Sequence, residues 1–109
     1  MSPDEFCEVV ITAPDAEWLA AFVRRLVEDR LCAAGHLFPM QTLYRWEGVL
    51  HDETETRAAL HTRTSLVSAI IARAEAEHPY EVPGIVALPI LSSSPSYLAW
   101  IADETGRTP

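Results

Sequence analysis

Along this chain the spacing of apolar positions changes period several times, and each change marks an element. Phe6 to Thr12 holds the β-branched run Val9-Val10-Ile11, bounded by Pro14, and reads as an interior strand. A helical period follows, with Trp18, Leu19, Phe22, Val23, Leu26 and Val27 on one stripe and Arg24, Arg25, Glu28 and Asp29 left to solvent. Pro14 suits the first helical turn, and Asp15 and Glu17 complement the helix dipole. Ala33 to Phe38 returns to extended chain, and Pro39 interrupts it before Thr42, Tyr44 and Trp46 line one face of a further strand.

Period two continues beyond a turn. Glu47-Gly48 and His51-Asp52-Glu53 supply kink and turn residues, and Thr54 to Thr62 sets Thr54, Thr56, Ala58 and Leu60 against Glu55, Arg57, Ala59 and His61, which predicts a long, bent β-hairpin. Thr64 or Ser65 can cap the next helix, whose stripe is Leu66, Val67, Ile70, Ile71 and Ala74. Ile85 to Ile90 reads as the last central strand. Ser94-Pro95 opens a short C-terminal helix carrying Tyr97, Leu98, Trp100 and Ile101, and the polar tail beyond Asp103 is expected to fray.

The order βα(ββ)αβ plus a helix predicts an α+β fold, a ferredoxin-like split βαβ sandwich with two helices on one sheet face and the other face open. A small sheet with an uncovered face and aromatics on a protruding hairpin favours self-association.

Size and charge narrow the function. A chain of 109 residues with 49% apolar composition fits one domain spanning residues 1–109, with an ordered core over 6–104. Net charge of −8 with eight basic residues argues against nucleic acid, which needs a concentrated positive footprint. No apolar stretch approaches the ~20 residues that span a bilayer. The start Met1-Ser2-Pro3-Asp4-Glu5 is acidic where a secretory signal is basic and then apolar, so cytoplasmic residence is expected, with Cys7 and Cys32 both reduced.

The most informative segment is His78-Pro79-Tyr80-Glu81-Val82-Pro83. Both prolines break helical continuity and bias His78 and Val82 towards extended backbone, making a stiff connector that carries an imidazole, a phenol and a carboxylate. Stiff connectors at the edge of a scaffold are common places for function.

Read in order, Thr12-Ala13-Pro14-Asp15, Arg30-Leu31 leading to Phe38-Pro39, Tyr44-Arg45-Trp46-Glu47-Gly48, His78-Pro79-Tyr80-Glu81 with Ala87-Leu88-Pro89, and Tyr97-Leu98-Ala99-Trp100 resemble the CutA family of divalent-cation tolerance proteins. The resemblance implies a homotrimer in which sheets face inwards and hairpins add strands to neighbouring copies. It implies a non-enzymatic role in binding or responding to divalent metal, in the copper class. The trimeric design also resembles the PII signalling proteins, which implies an alternative: a sensor or interaction module with a small effector in inter-subunit clefts.

Two sets of residues follow as candidates. Copper or zinc would draw on imidazole or thiolate. The family's thiol after the first helix corresponds to Ala34 in Ala33-Ala34-Gly35-His36, and the upstream one to Ile11, which leaves open whether Cys32 substitutes. His36, His61 and His78 remain as nitrogen donors, beside Glu53, Glu55 or Glu81. The second set, Tyr44, Trp46, His78, Tyr80 and Glu81, forms the walls of a candidate inter-subunit ligand cleft, a reading compatible with interface packing of the same aromatics. No phosphate loop, nucleophile elbow or Cys-x-x-Cys pair points to catalysis.

Overall fold

Strict alternation in β1 (Phe6–Ala13) organises the molecule, because Cys7, Val9, Ile11 and Ala13 are buried while Phe6, Glu8, Val10 and Thr12 between them are only half covered. The structure is a computed structural model that describes residues 5–106. After β1 come α1 (Ala16–Glu28), β2 (Ala34–Trp46), β3 (Val49–Arg63), α2 (Val67–Glu77), β4 (Ile85–Pro89) and α3 (Pro95–Glu104). The strands form one antiparallel sheet in the order β2-β3-β1-β4, the expected split βαβ arrangement. The expectations for residues 1–4 and 107–109 lie outside the described residues.

Register sorts the strands into two faces. Val9 pairs with Leu60 and Ile11 with Ala58, and directly opposed residues share a face. These residues form one core with Leu19, Phe22, Val23 and Leu26 of α1 and Ile70 and Ala74 of α2. Close approach of α1 to β2 depends on Gly35, where a Cβ would lie 2.4 Å from Val23 Cγ1. Across the sheet, Glu8, Val10 and Thr12 share the second face with Arg57, Ala59 and His61 of β3 and with Val86 and Leu88 of β4. That face is not wholly open, because Tyr97 of α3 reaches His61 there.

Several expectations are corrected. Ile85–Pro89 is an edge strand, not a central one, since it pairs only with β1. Pro39 does not interrupt β2; it sits inside a strand on the opposite edge, where a missing donor is tolerated. His51-Asp52-Glu53 is not a turn but part of β3. The turn is Glu47-Gly48 alone, with φ of 49° and 81°, as a two-residue hairpin loop of primed type requires.

At the helix ends, Pro14 precedes α1 and Asp15 is its N-cap, its carboxylate accepting from the amides of Glu17 and Trp18. Neither Thr64 nor Ser65 caps α2, which starts from a 3₁₀ turn over Thr64–Leu66; the Thr64 hydroxyl instead meets Cys7 Sγ at 3.1 Å. Thr105 is fully buried rather than frayed, held by Arg63 Nε at 3.0 Å and by its own bond to the Ile101 carbonyl.

Candidate functional site

The connector after α2 is shaped by one imidazole. His78 caps α2 with extended backbone (φ −65°, ψ 141°), as the following proline demands. Its Nε2 donates to the Thr12 carbonyl at 2.7 Å, and its Nδ1 accepts the Tyr80 amide at 3.0 Å. Those partners fix the neutral tautomer with the proton on Nε2, since a carbonyl only accepts and an amide only donates. The ring is buried and stands edge-on to Trp18, with centroids 5.2 Å apart. His78 therefore holds Tyr80 in place.

Tyr80 so placed reaches back over the sheet, and its hydroxyl donates to Glu55 Oε2 at 2.8 Å. Glu55 is only 3% exposed, which a carboxylate tolerates only with partners. Burial, and then the bond to Glu55, raise the Tyr80 phenol above its ordinary value. On the hairpin, Tyr44 stacks flat on its cross-strand partner His51, centroids 4.9 Å apart, and donates to Glu53 Oε1 at 2.8 Å. That bond is the first cause of its raised pKa.

These groups enclose a cleft of about 410 Å³, within the range of small-molecule sites. Tyr44, Trp46, Tyr80 and Glu81 line it as a group, and His78 stands behind it. Thr12, Thr42, Glu55, Pro79, Val82 and Gly84 complete the lining, and of these Glu55 was named from sequence only as a possible metal ligand. The signal was present in Glu47-Gly48: a two-residue turn fixes every pairing of the hairpin, and puts Met40 opposite Glu55 and Thr42 opposite Glu53, on the face of Tyr44 and Trp46.

The three imidazoles proposed for metal do not converge. His36 and His61 are neighbours on the second sheet face, ring centroids 5.2 Å apart, whereas His78 is held at the Thr12 end of β1. His61 already bonds Glu8 Oε1 through Nε2 at 2.9 Å and the Tyr97 hydroxyl through Nδ1 at 2.5 Å. Among the described residues no group of three or more His, Cys, Asp or Glu side chains is arranged to hold a metal. Cys7 and Cys32 are unpaired and buried, and burial pushes the Cys32 thiol up to about 12, so it is a poor thiolate donor. The described residues of one copy thus offer no preformed metal cage, and His36, which is exposed, is the imidazole most available to ligands from elsewhere.

Comparison with known proteins gives a consistent picture. The family described as CutA1 divalent ion tolerance protein matches residues 7–104. A divalent-cation tolerance protein CutA of Thermus thermophilus is 37% identical over 90% of this chain and 96% of its own length. A CutA homolog of Xenopus laevis is also 37% identical, but the chain spans only 62% of that protein's length. Among solved structures, CutA1 from Oryza sativa superposes with a TM-score of 0.91 at 28% identity, covering 96% of this chain and 97% of that one. A CutA from Archaeoglobus fulgidus, described as periplasmic, has a TM-score of 0.88 at 30% identity, with coverage of 91% and 97%.

Proposed function

Because the chain belongs to the CutA1 divalent ion tolerance family, we propose that it acts as a divalent-cation tolerance protein, assembled as a homotrimer and binding or answering metal rather than catalysing a reaction. The observation that supports the assembly is apolar surface with nothing to cover it. Val86 is 53% exposed, Leu88 43% and Trp46 38% on the second face, and Leu43 and Leu50 are exposed farther along the hairpin. Residues of this kind concentrated on one sheet face and one hairpin mark an association surface.

For the metal, copper or zinc, we propose weak binding through His36 with carboxylate help, using donors from more than one copy, with His61 joining only where the metal displaces Glu8 or Tyr97 from one ring nitrogen. His78 can join only by giving up one of its two backbone bonds, so its role is to position Tyr80. Calorimetric titration of Cu²⁺ and Zn²⁺ tests this. Affinity should fall between pH 7.5 and 5.5, because protons compete with the metal for imidazole nitrogen, and His36→Ala should weaken it. The Cys7→Ser, Cys32→Ser double variant should titrate like wild type; loss of tight binding in it would return the chemistry to sulfur.

One observation favours a second role alongside the first: the cleft of about 410 Å³ with Tyr44, Trp46, Tyr80 and Glu81 around it. We read it as a small-effector site at a subunit boundary, in the manner of a trimeric sensor. No described helix is long and apolar enough to cross a membrane. The two unpaired thiols support a reducing compartment such as the cytoplasm, which fractionation of producing cells would check.

A further inference from the structure

The chemistry of that cleft is one-sided. Its walls include three aromatic side chains, Tyr44, Trp46 and Tyr80, and two carboxylates, Glu55 and Glu81, while no lining residue is Lys, Arg or His. Arg45 falls between Tyr44 and Trp46 and so projects from the opposite face of β2, while Arg57 shares the sheet face of Glu55 and Thr12 but packs over the Phe38 ring, 5.5 Å from its centroid, outside the lining.

Two polar groups in the cleft lack a full set of partners. Glu55 is 3% exposed and accepts one bond from Tyr80, although two carboxylate oxygens offer about four acceptor sites. The Thr42 hydroxyl is buried with no partner among the described residues. A ligand that brings N–H or N⁺–C–H groups would offset the cost of that buried carboxylate, and aromatic faces attract cations through their quadrupole.

We infer that the cleft takes small organic cations, an ammonium or substituted ammonium group on an apolar body, with Glu55 and Glu81 meeting the charge and Tyr44, Trp46 and Tyr80 packing the body. The inference rests on reading the cleft as an effector site. It sets nucleotides and other phosphate-bearing effectors aside, because their charge would meet two carboxylates and no base.

Three probes of similar shape and different charge decide the matter on the assembled full-length protein: benzylammonium, benzyl alcohol and benzoate. The Trp46 indole N–H signal, assigned with Trp46→Phe, reports occupancy and calorimetry gives affinity. Benzylammonium should shift that signal and bind at least about tenfold tighter than benzyl alcohol, with benzoate silent. Glu55→Gln and Glu81→Gln should each weaken the cation and leave the alcohol unchanged; Glu81 is exposed, so its variant folds even if the buried one does not. Equal binding of all three probes, or preference for benzoate, would overturn the cation assignment while keeping the cleft. If no probe moves the Trp46 signal, the cleft is not a ligand site and the underlying reading fails with it.

Discussion

The two faces of the sheet use the same four strands and reach opposite outcomes. Towards α1 and α2, Val9, Ile11, Ala58 and Leu60 are fully buried and their contacts are complete within one chain. On the other face the same strands present half-exposed Val86 and Leu88, an imidazole clamped between Glu8 and Tyr97, and a buried carboxylate under Tyr80. The first face makes the chain fold. The second, on the function proposed above, is completed by partners from outside the chain: other copies, a ligand, or both.

Substitutions should separate the faces, with the largest effect on the helix-covered one. Leu60→Ala should cost about 2–5 kcal/mol in equilibrium unfolding, the usual range for a fully buried leucine, whatever the state of assembly. Val86→Asp, on the second face, should instead lower the assembled mass in light scattering at micromolar concentration, while far-UV circular dichroism keeps the native fold. If Val86→Asp unfolds the isolated chain as severely as Leu60→Ala, the two faces are not distinct in the way described.

A smaller effect is expected at the joint between the faces. His78→Ala leaves the Thr12 carbonyl and the Tyr80 amide without their partners, and should cost about 1–3 kcal/mol and loosen the cleft. His78→Gln, which can both donate and accept, should restore part of that stability.

Alkaline titration gives a third test. The Cys32 thiol is raised in the fold from 9.0 to about 12, so the folded state holds its proton more tightly than the unfolded chain. That stability is fully present below pH 9 and is lost as pH rises towards 12, because the unfolded state ionises first. The midpoint of thermal unfolding should fall across this window, and fall less steeply in Cys32→Ala. A thiol reagent at pH 8 should leave Cys32 untouched in the native protein.

The smallest effect belongs to the exposed ion pairs. Arg25 and Glu77 meet at 2.6 Å with side chains 45% and 32% exposed, and Arg25→Ala should change stability by less than about 1 kcal/mol.

Legibility from sequence follows the same division. The helix-covered face was readable because it is written in periodicity: Val9 and Ile11 in β1 and Leu19, Phe22, Val23 and Leu26 in α1 need only a burial pattern to be placed. Tyr44, Trp46, Tyr80 and Glu81 were legible as a group because they lie in short motifs, and they do line one cleft. Glu55 was named only as a possible metal ligand and not as part of the cleft, since an alternating polar residue in a long strand looks like solvent-facing surface until the register sets it under Tyr80. Nor was the task of His78 legible: a histidine before a proline reads as a helix end with a free ring, whereas both its nitrogens are spent on backbone groups of distant and neighbouring residues. Placing β4 at the centre failed because a continuous apolar run occurs in edge strands as well as in central ones.

The claim that the second face is completed by other copies of the chain is tested most directly by mass. Light scattering coupled to gel filtration, at micromolar concentration and moderate salt, should give a single species of three times the 12.1 kDa chain mass. A monomer of 12.1 kDa, stable across that concentration range, would contradict the account, because Val86, Leu88 and Trp46 would then remain exposed in the working protein.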